Sequence, residues 1–77
     1  MTLRDALRKA FAILSKERRG VVIATSSCQY RLSPSAPLSS RSCLISRSVR
    51  YDDQWQPWGE VDGFDVDDVL TDKWRVH

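Results

Sequence analysis

Gly20-Val21-Val22-Ile23-Ala24-Thr25-Ser26-Ser27-Cys28-Gln29-Tyr30-Arg31-Leu32 is the stretch that decides the fold. Val21, Val22 and Ile23 are consecutive β-branched apolar residues, which pack well on a pleated surface and lose rotamer freedom in a helix. Cys28 to Leu32 alternates apolar and polar residues, the pattern of a strand with one buried face. The two parts read either as one long bent strand or as a tight hairpin that turns at Ser26-Ser27.

Working outward to the N-terminus, residues 2–19 form an amphipathic helix. Leu3, Leu7, Ala10 and Leu14 recur at helical spacing, and Ala6, Phe11 and Ile13 widen the apolar stripe. Arg4, Asp5, Arg8, Lys9 and Lys16 take the opposite side. The Thr2 hydroxyl caps the start, with Asp5 three positions on as a short-armed capping box. Gly20 suits the left-handed residue that ends a helix, and Arg18 and Arg19 suit the negative end of its dipole.

Toward the C-terminus, residues 33–42 hold two prolines and five serines and read as a loop. Cys43 to Tyr51 reads as a strand. Cys43, Ile45, Val49 and Tyr51 share one face, interrupted by Arg47, and Leu44, Ser46, Ser48 and Arg50 share the other. Asp52-Asp53 marks a turn. Residues 54–58 read as a short further strand that Pro57 confines to an edge or a bend, and Gly59 and Gly63 bracket an irregular stretch. The Asp65 carboxylate is placed to cap a short helix over 66–71, with Asp67 and Asp68 in its first turn. Trp74-Arg75-Val76 returns as a brief strand. The order of elements implies an α+β fold: an N-terminal helix packed on a small antiparallel sheet, then a short C-terminal helix and a terminal strand.

A chain of 77 residues makes one domain with a thin core, a single small binding domain over residues 1–77. Chains this small often rely on disulfides, metals or association, and the composition favours a homo-oligomer. Cys28, Cys43 and His77 are the only cysteines and histidine, and a structural zinc site needs about four such ligands. No metal or other cofactor is expected. A single disulfide is possible, but residues 1–20 lack the uninterrupted apolar core of a secretory signal, so reduced thiols in the cytoplasm are the expectation. No apolar run approaches the ~20 residues that span a membrane. The net charge of +2 hides an asymmetry: residues 1–50 carry ten Lys/Arg and two Asp/Glu, and residues 51–77 carry two and eight. The halves pair within one fold, pair between copies, or leave a basic face for a partner.

The segment Asp65-Val66-Asp67-Asp68-Val69-Leu70-Thr71-Asp72-Lys73-Trp74-Arg75-Val76 resembles the ending of a family of small phage anti-defence proteins, those that sequester the nucleotide signal of the Thoeris immune system. In that family the tail reads roughly Ser-x-x-Asp-Leu-Leu-Ala-x-Asp-Trp-x-Val. Asp65 stands at the capping serine, Asp68-Val69-Leu70 stand for Asp-Leu-Leu, and Trp74 keeps its spacing from Asp68. Thr71 and Lys73 depart from the pattern, and residues 20–50 do not match. The resemblance covers about a third of the chain. It implies a small oligomeric α+β protein that holds a cyclic-ADP-ribose-type messenger without cleaving it. Trp74 itself is expected to pack against the first helix, since a thin core relies on its aromatics. The acids Asp65, Asp67, Asp68 and Asp72 read either as a solvated helix start or as a phosphate mimic.

The residues offer binding groups and few catalytic ones. Ser-His-Asp and Cys-His chemistry need a positioned histidine, and His77 is the last residue given. With only three separated glycines there is no phosphate-cradling loop. The expectation is therefore not an enzyme. Arginine pairs bidentately with phosphate and aromatic rings stack on bases, and the candidate contact surface is Arg47, Arg50, Tyr51, Trp55 and Trp58. Its partner is read first as a cyclic nucleotide signal. An alternative is a bacterial defence protein, blocked as an anti-CRISPR protein blocks its effector, because Trp, Tyr and Arg are also the common interface anchors. A third is nucleic acid, with Arg31, Arg41, Arg47 and Arg50 beside Tyr30, Tyr51, Trp55 and Trp58.

Overall fold

The computed structural model describes residues 1–34 and 43–77, with only the backbone of Cys43. The elements run α1 (Leu3–Glu17), β1 (Val21–Ala24), β2 (Cys28–Pro34), β3 (Cys43–Tyr51), β4 (Gln54–Trp55), β5 (Gly59–Glu60), α2 (Val66–Leu70) and β6 (Arg75–Val76). The fold is α+β. The strands form one antiparallel sheet in the order β4-β3-β2-β1-β6, with β5 also on β3, and α1 covers one face.

Thr2 caps α1 as expected: its Oγ1 accepts the Asp5 N–H at 3.2 Å. The far end differs from expectation. Arg18, not Gly20, takes the left-handed conformation (φ 51°), and its N–H donates to the Leu14 carbonyl at 3.0 Å. The helix stops two residues early because β1 begins at Val21, and the chain needs Arg19 and Gly20 to swing from helix to sheet.

The question left open at Ser26-Ser27 resolves as a hairpin. Thr25 organises it: its N–H donates to the Cys28 carbonyl at 2.8 Å, and its Oγ1 accepts the N–H groups of Ser27 and Cys28 at 3.4 and 3.2 Å. A local side-chain acceptor of this kind diverts the backbone from a continuous strand. Ser33 and Pro34, expected in the loop, extend β2 instead and pair with Leu44 and Cys43. The rest of the expected loop, 35–42 with Arg41, lies outside the described residues. Cys28 lies across from Val49 and Cys43 from Pro34. Six positions of strand separate Val49 from Cys43, roughly 20 Å at strand rise, so this register holds the two cysteines too far apart for a disulfide.

The β3–β4 turn uses Asp52 and Asp53, both left-handed (φ 50° and 60°), as a two-residue hairpin with the sheet's own twist requires. Beyond it the edge strand contains a bulge. Arg50 pairs with Trp55, but Arg47 pairs with Gly59, one residue out of register. The extra residue falls between Gln56 and Trp58, where Pro57 lacks a donor for the ladder. The expected strand over 54–58 therefore ends at Trp55, and pairing resumes as β5, where an irregular stretch was expected.

The core lies between α1 and the inner face of the sheet. Leu3, Ala6 and Ala10 of α1 meet Val21, Ile23, Cys28, Tyr30 and Leu32, and Trp74 completes the cluster. Trp74 is thus buried in the core, as expected. Its backbone is tied to residue 1 in both directions: the Trp74 N–H donates to the Met1 carbonyl at 3.0 Å, and the Met1 ammonium donates to the Trp74 carbonyl at 3.2 Å. Among the described residues no helix is long and apolar enough to cross a membrane.

Candidate functional site

Alternation along the strands gives the sheet two chemically different faces. Toward α1 point Cys28, Tyr30 and Leu32, with Val49, Arg47 and Ile45 opposite them on β3. Away from α1 point Val22, Ala24, Gln29, Arg31, Ser48 and Arg50, a face that no helix among the described residues covers.

On this open face the chain forms a shallow concavity of about 530 Å³. The small side chains of Ala24, Thr25 and Ser26, with Val22 and Gln29, form its floor. Long side chains stand around it: Arg50 and Trp55 from β3 and β4, Arg75 and His77 from β6 and the residue after it. The register explains the walls. Trp55 is the cross-strand neighbour of Arg50, and Arg75 is that of Ala24, so cationic and aromatic groups flank a low centre. Among the described residues Arg50 pairs loosely with Asp53, at 3.7 Å, and its side chain is 44% exposed.

Beside the concavity a second arginine–tryptophan pair covers the sheet. The Arg31 guanidinium lies 4.7 Å from the Trp58 ring centroid, in cation–π range. Below it the Ser48 hydroxyl donates to the Gln56 carbonyl. The bulge makes this possible. Positions 55 and 58 of a regular strand would face opposite ways, and the extra residue brings both tryptophans to the open face.

The inner face holds a polar cluster centred on Asp68. One carboxylate oxygen, Oδ2, accepts the Tyr30 hydroxyl at 2.6 Å, the Arg47 Nε–H at 3.3 Å and the Cys28 thiol at 3.6 Å. Arg47 also reaches the Asp65 carboxylate at 3.5 Å, and the Asp65 N–H donates to the Tyr30 oxygen at 3.2 Å. Asp65 occupies the N-cap position of α2, but its side chain makes no capping bond. Its carboxylate turns to Arg47 instead, which corrects the expected cap. Of the acidic group only Asp68 is buried; Asp65, Asp67 and Asp72 are exposed. Burial, reinforced by the Asp68 charge, pushes the Cys28 thiol up to about 11. Burial and the hydrogen bond to Asp68 push the Tyr30 phenol up to about 12. Burial works against the Arg47 charge, but Cys28, Asp68 and Tyr30 outweigh it and raise its pKa further. At neutral pH the cluster therefore holds a thiol and a phenol, and the reactive thiolate is scarce.

The candidate surface is split by this arrangement. Arg50 and Trp55 meet in the concavity. Trp58 lies on the same face, against Arg31. Arg47 is on the inner face, paired with Asp68 and Asp65, and Tyr51 is exposed beside the β3–β4 turn, outside the concavity. Sequence reasoning missed Arg75 and His77. The signal was present: once Trp74 is assigned to the core, alternation sends Arg75 to the opposite face. Among the described residues no three His, Cys, Asp or Glu side chains converge as metal ligands do.

Compared with family models, with curated proteins and with solved structures, the chain finds no match in any of the three.

Proposed function

We propose that the chain is a phage-type anti-defence protein that captures an anionic nucleotide signal on the open face of its sheet and holds it without chemistry. The concavity walled by Arg50, Trp55 and Arg75 carries this reading. Guanidinium groups pair bidentately with phosphate oxygens, an indole stacks on a nucleobase, and about 530 Å³ lies within the range of small-molecule sites. The resemblance of residues 65–76 to the Thoeris anti-defence ending supplies the setting. The ligand would be a cyclic-ADP-ribose-type messenger, the compartment the host cytoplasm, and the assembly a homo-oligomer without a cofactor. The concavity offers groups that grip, and Cys28, on the other side of the sheet, is held protonated.

Calorimetric titration with cyclic ADP-ribose isomers and cyclic dinucleotides tests the proposal. One of them should bind with near-unit stoichiometry per chain, be recovered intact by mass spectrometry, and lose most of its affinity in Arg50→Ala and Arg75→Ala. Absence of binding to every member of both classes would end the signal-capture reading.

One observation favours a second reading. Trp55 and Trp58 share the open face with Arg50 and Arg31, and such platforms suit single-stranded nucleic acid through stacking and backbone charge. Binding to an oligonucleotide would then fall steeply as salt rises, and a flat salt response would exclude it.

A further inference from the structure

The concavity lies on one face of the sheet and the Asp68 cluster on the other, yet the second holds a wall of the first. Arg75 and His77 project from the shortest kind of element in the fold. β6 is two residues long. Its own ties to β1 are the pairings of Val76 with Ile23 and Arg75 with Ala24, extended by the His77 N–H donating to the Val22 carbonyl at 2.8 Å. A strand this short has little independent stability, so its position depends on what precedes it.

What precedes it is Trp74, buried in the core, whose indole N–H donates to the backbone carbonyl of Asp68 at 2.8 Å. That carbonyl belongs to α2, and α2 is held in an unusual way. Its apolar side chains Val66, Val69 and Leu70 are 71%, 53% and 76% exposed, and Asp68 is its one buried residue. Apolar burial therefore contributes little to fixing the helix. The carboxylate holds it, through Tyr30, Arg47 and Cys28. Tyr30 and Arg47 sit opposite each other on β2 and β3, at the centre of the sheet. A continuous series of contacts runs from that centre through the Asp68 side chain to its carbonyl, on to the Trp74 indole, and out to Arg75 and His77.

We infer that Asp68 is a positioning residue for the open-face concavity: its carboxylate, anchored on the inner face, sets the place of Trp74 and so of the Arg75 and His77 wall. The consequence for ligand affinity rests on the concavity being the binding site. The consequence for β6 does not.

Residue-resolved amide exchange separates the two. In Asp68→Asn the side chain keeps its shape but loses the charge that Arg47 and the Tyr30 hydroxyl address. The Trp74 and His77 amides should exchange faster by about tenfold, the loss of one hydrogen bond's worth of local stability. The β1–β2 ladder amides of Ile23 and Tyr30 should keep their protection. A merely structural role would lower protection across the sheet together, so uniform loss, or an unchanged His77 amide, overturns the inference. Trp74→Phe keeps an aromatic ring in the core, removes the N–H to Asp68 and leaves a small cavity, so protection falls somewhat throughout and the loss at His77 should exceed that at Ile23 and Tyr30. If Asp68→Asn does not fold, Trp74→Phe decides by that excess. Titration of wild type and both variants with the cyclic ADP-ribose isomers and cyclic dinucleotides completes the test. If wild type binds, the variants should bind more weakly by about tenfold. If wild type does not bind, the capture reading fails while the exchange result still decides the positioning role.

Discussion

Replacing Tyr30 by phenylalanine removes one oxygen atom from the centre of the protein and leaves the ring. The ring contacts survive, 4.7 Å to Phe64 and 5.7 Å to Trp74 between centroids. What is lost is the 2.6 Å hydrogen bond to the Asp68 carboxylate and the acceptor for the Asp65 N–H. A hydrogen bond to a charged group contributes about 1.5–3 kcal/mol. The carboxylate keeps Arg47 and Cys28, so it is not orphaned, and Asp65 is exposed enough for water to replace the phenol. The expected loss is therefore about 2 kcal/mol, near the middle of that range. In a domain this small it corresponds to a fall in Tm of roughly 8–16 °C. Urea titration followed by tryptophan fluorescence measures it, with the midpoint lowered and the slope unchanged. Tyr51→Phe is the control: Tyr51 is 69% exposed, and its change should stay within about 0.5 kcal/mol. A Tyr30→Phe loss no larger than that of the control would refute the claim that Asp68 is anchored through the phenol.

The same cluster sets an alkaline limit. The folded-state pKa values of Cys28 and Tyr30, about 11 and about 12, lie above their ordinary values of 9.0 and 10.0. Their contribution is thus fully present below pH 9.0 and lost as pH rises through 11 and then 12; the urea midpoint should fall over that window, and less so in Tyr30→Phe. Cys28 should resist alkylation at pH 8 in the native protein and react once urea unfolds it, read by peptide mapping at Cys28; rapid native modification would contradict its burial and raised pKa. The opposed charges of the two parts of the chain should give a light-scattering mass above one chain at micromolar concentration that declines with added salt, and a monomer at low salt would remove the homo-oligomer from the proposal.

Much of the fold is legible in the sequence because the signals are local. The stripe of α1, the β-branched run of β1 and the alternation of β2 each follow from neighbouring residues. What escaped is set by pairing at a distance. Arg18 replaces Gly20 at the helix end because β1 claims Val21. The bulge at 56–58 is visible only as a register change against β3, and it alone brings Trp55 and Trp58 to one face. Arg47 was seen to interrupt an apolar face, but its partner Asp68 lies 21 residues away. Asp65 and Asp68 look alike in sequence, and only the distant Tyr30 and Cys28 make one of them buried. Of the candidate surface, Arg50 and Trp55 meet, whereas Arg75 and His77 join them through the β1–β6 pairing.

The resembling C-terminal motif also acquires a physical meaning. Asp68 and Trp74 are joined by the indole N–H and the Asp68 carbonyl. Both belong to the support of the concavity and neither to its lining.

Chemical-shift mapping of the ¹⁵N-labelled protein titrated with cyclic ADP-ribose isomers tests most directly whether the open face is where the molecule grips. Saturable shifts confined to Val22, Thr25, Gln29, Arg50, the Trp55 indole, Arg75 and His77, with the nucleotide unchanged afterwards, are the expected result. Shifts that gather on α1 or around Tyr51 instead, or a nucleotide that is consumed, would contradict it.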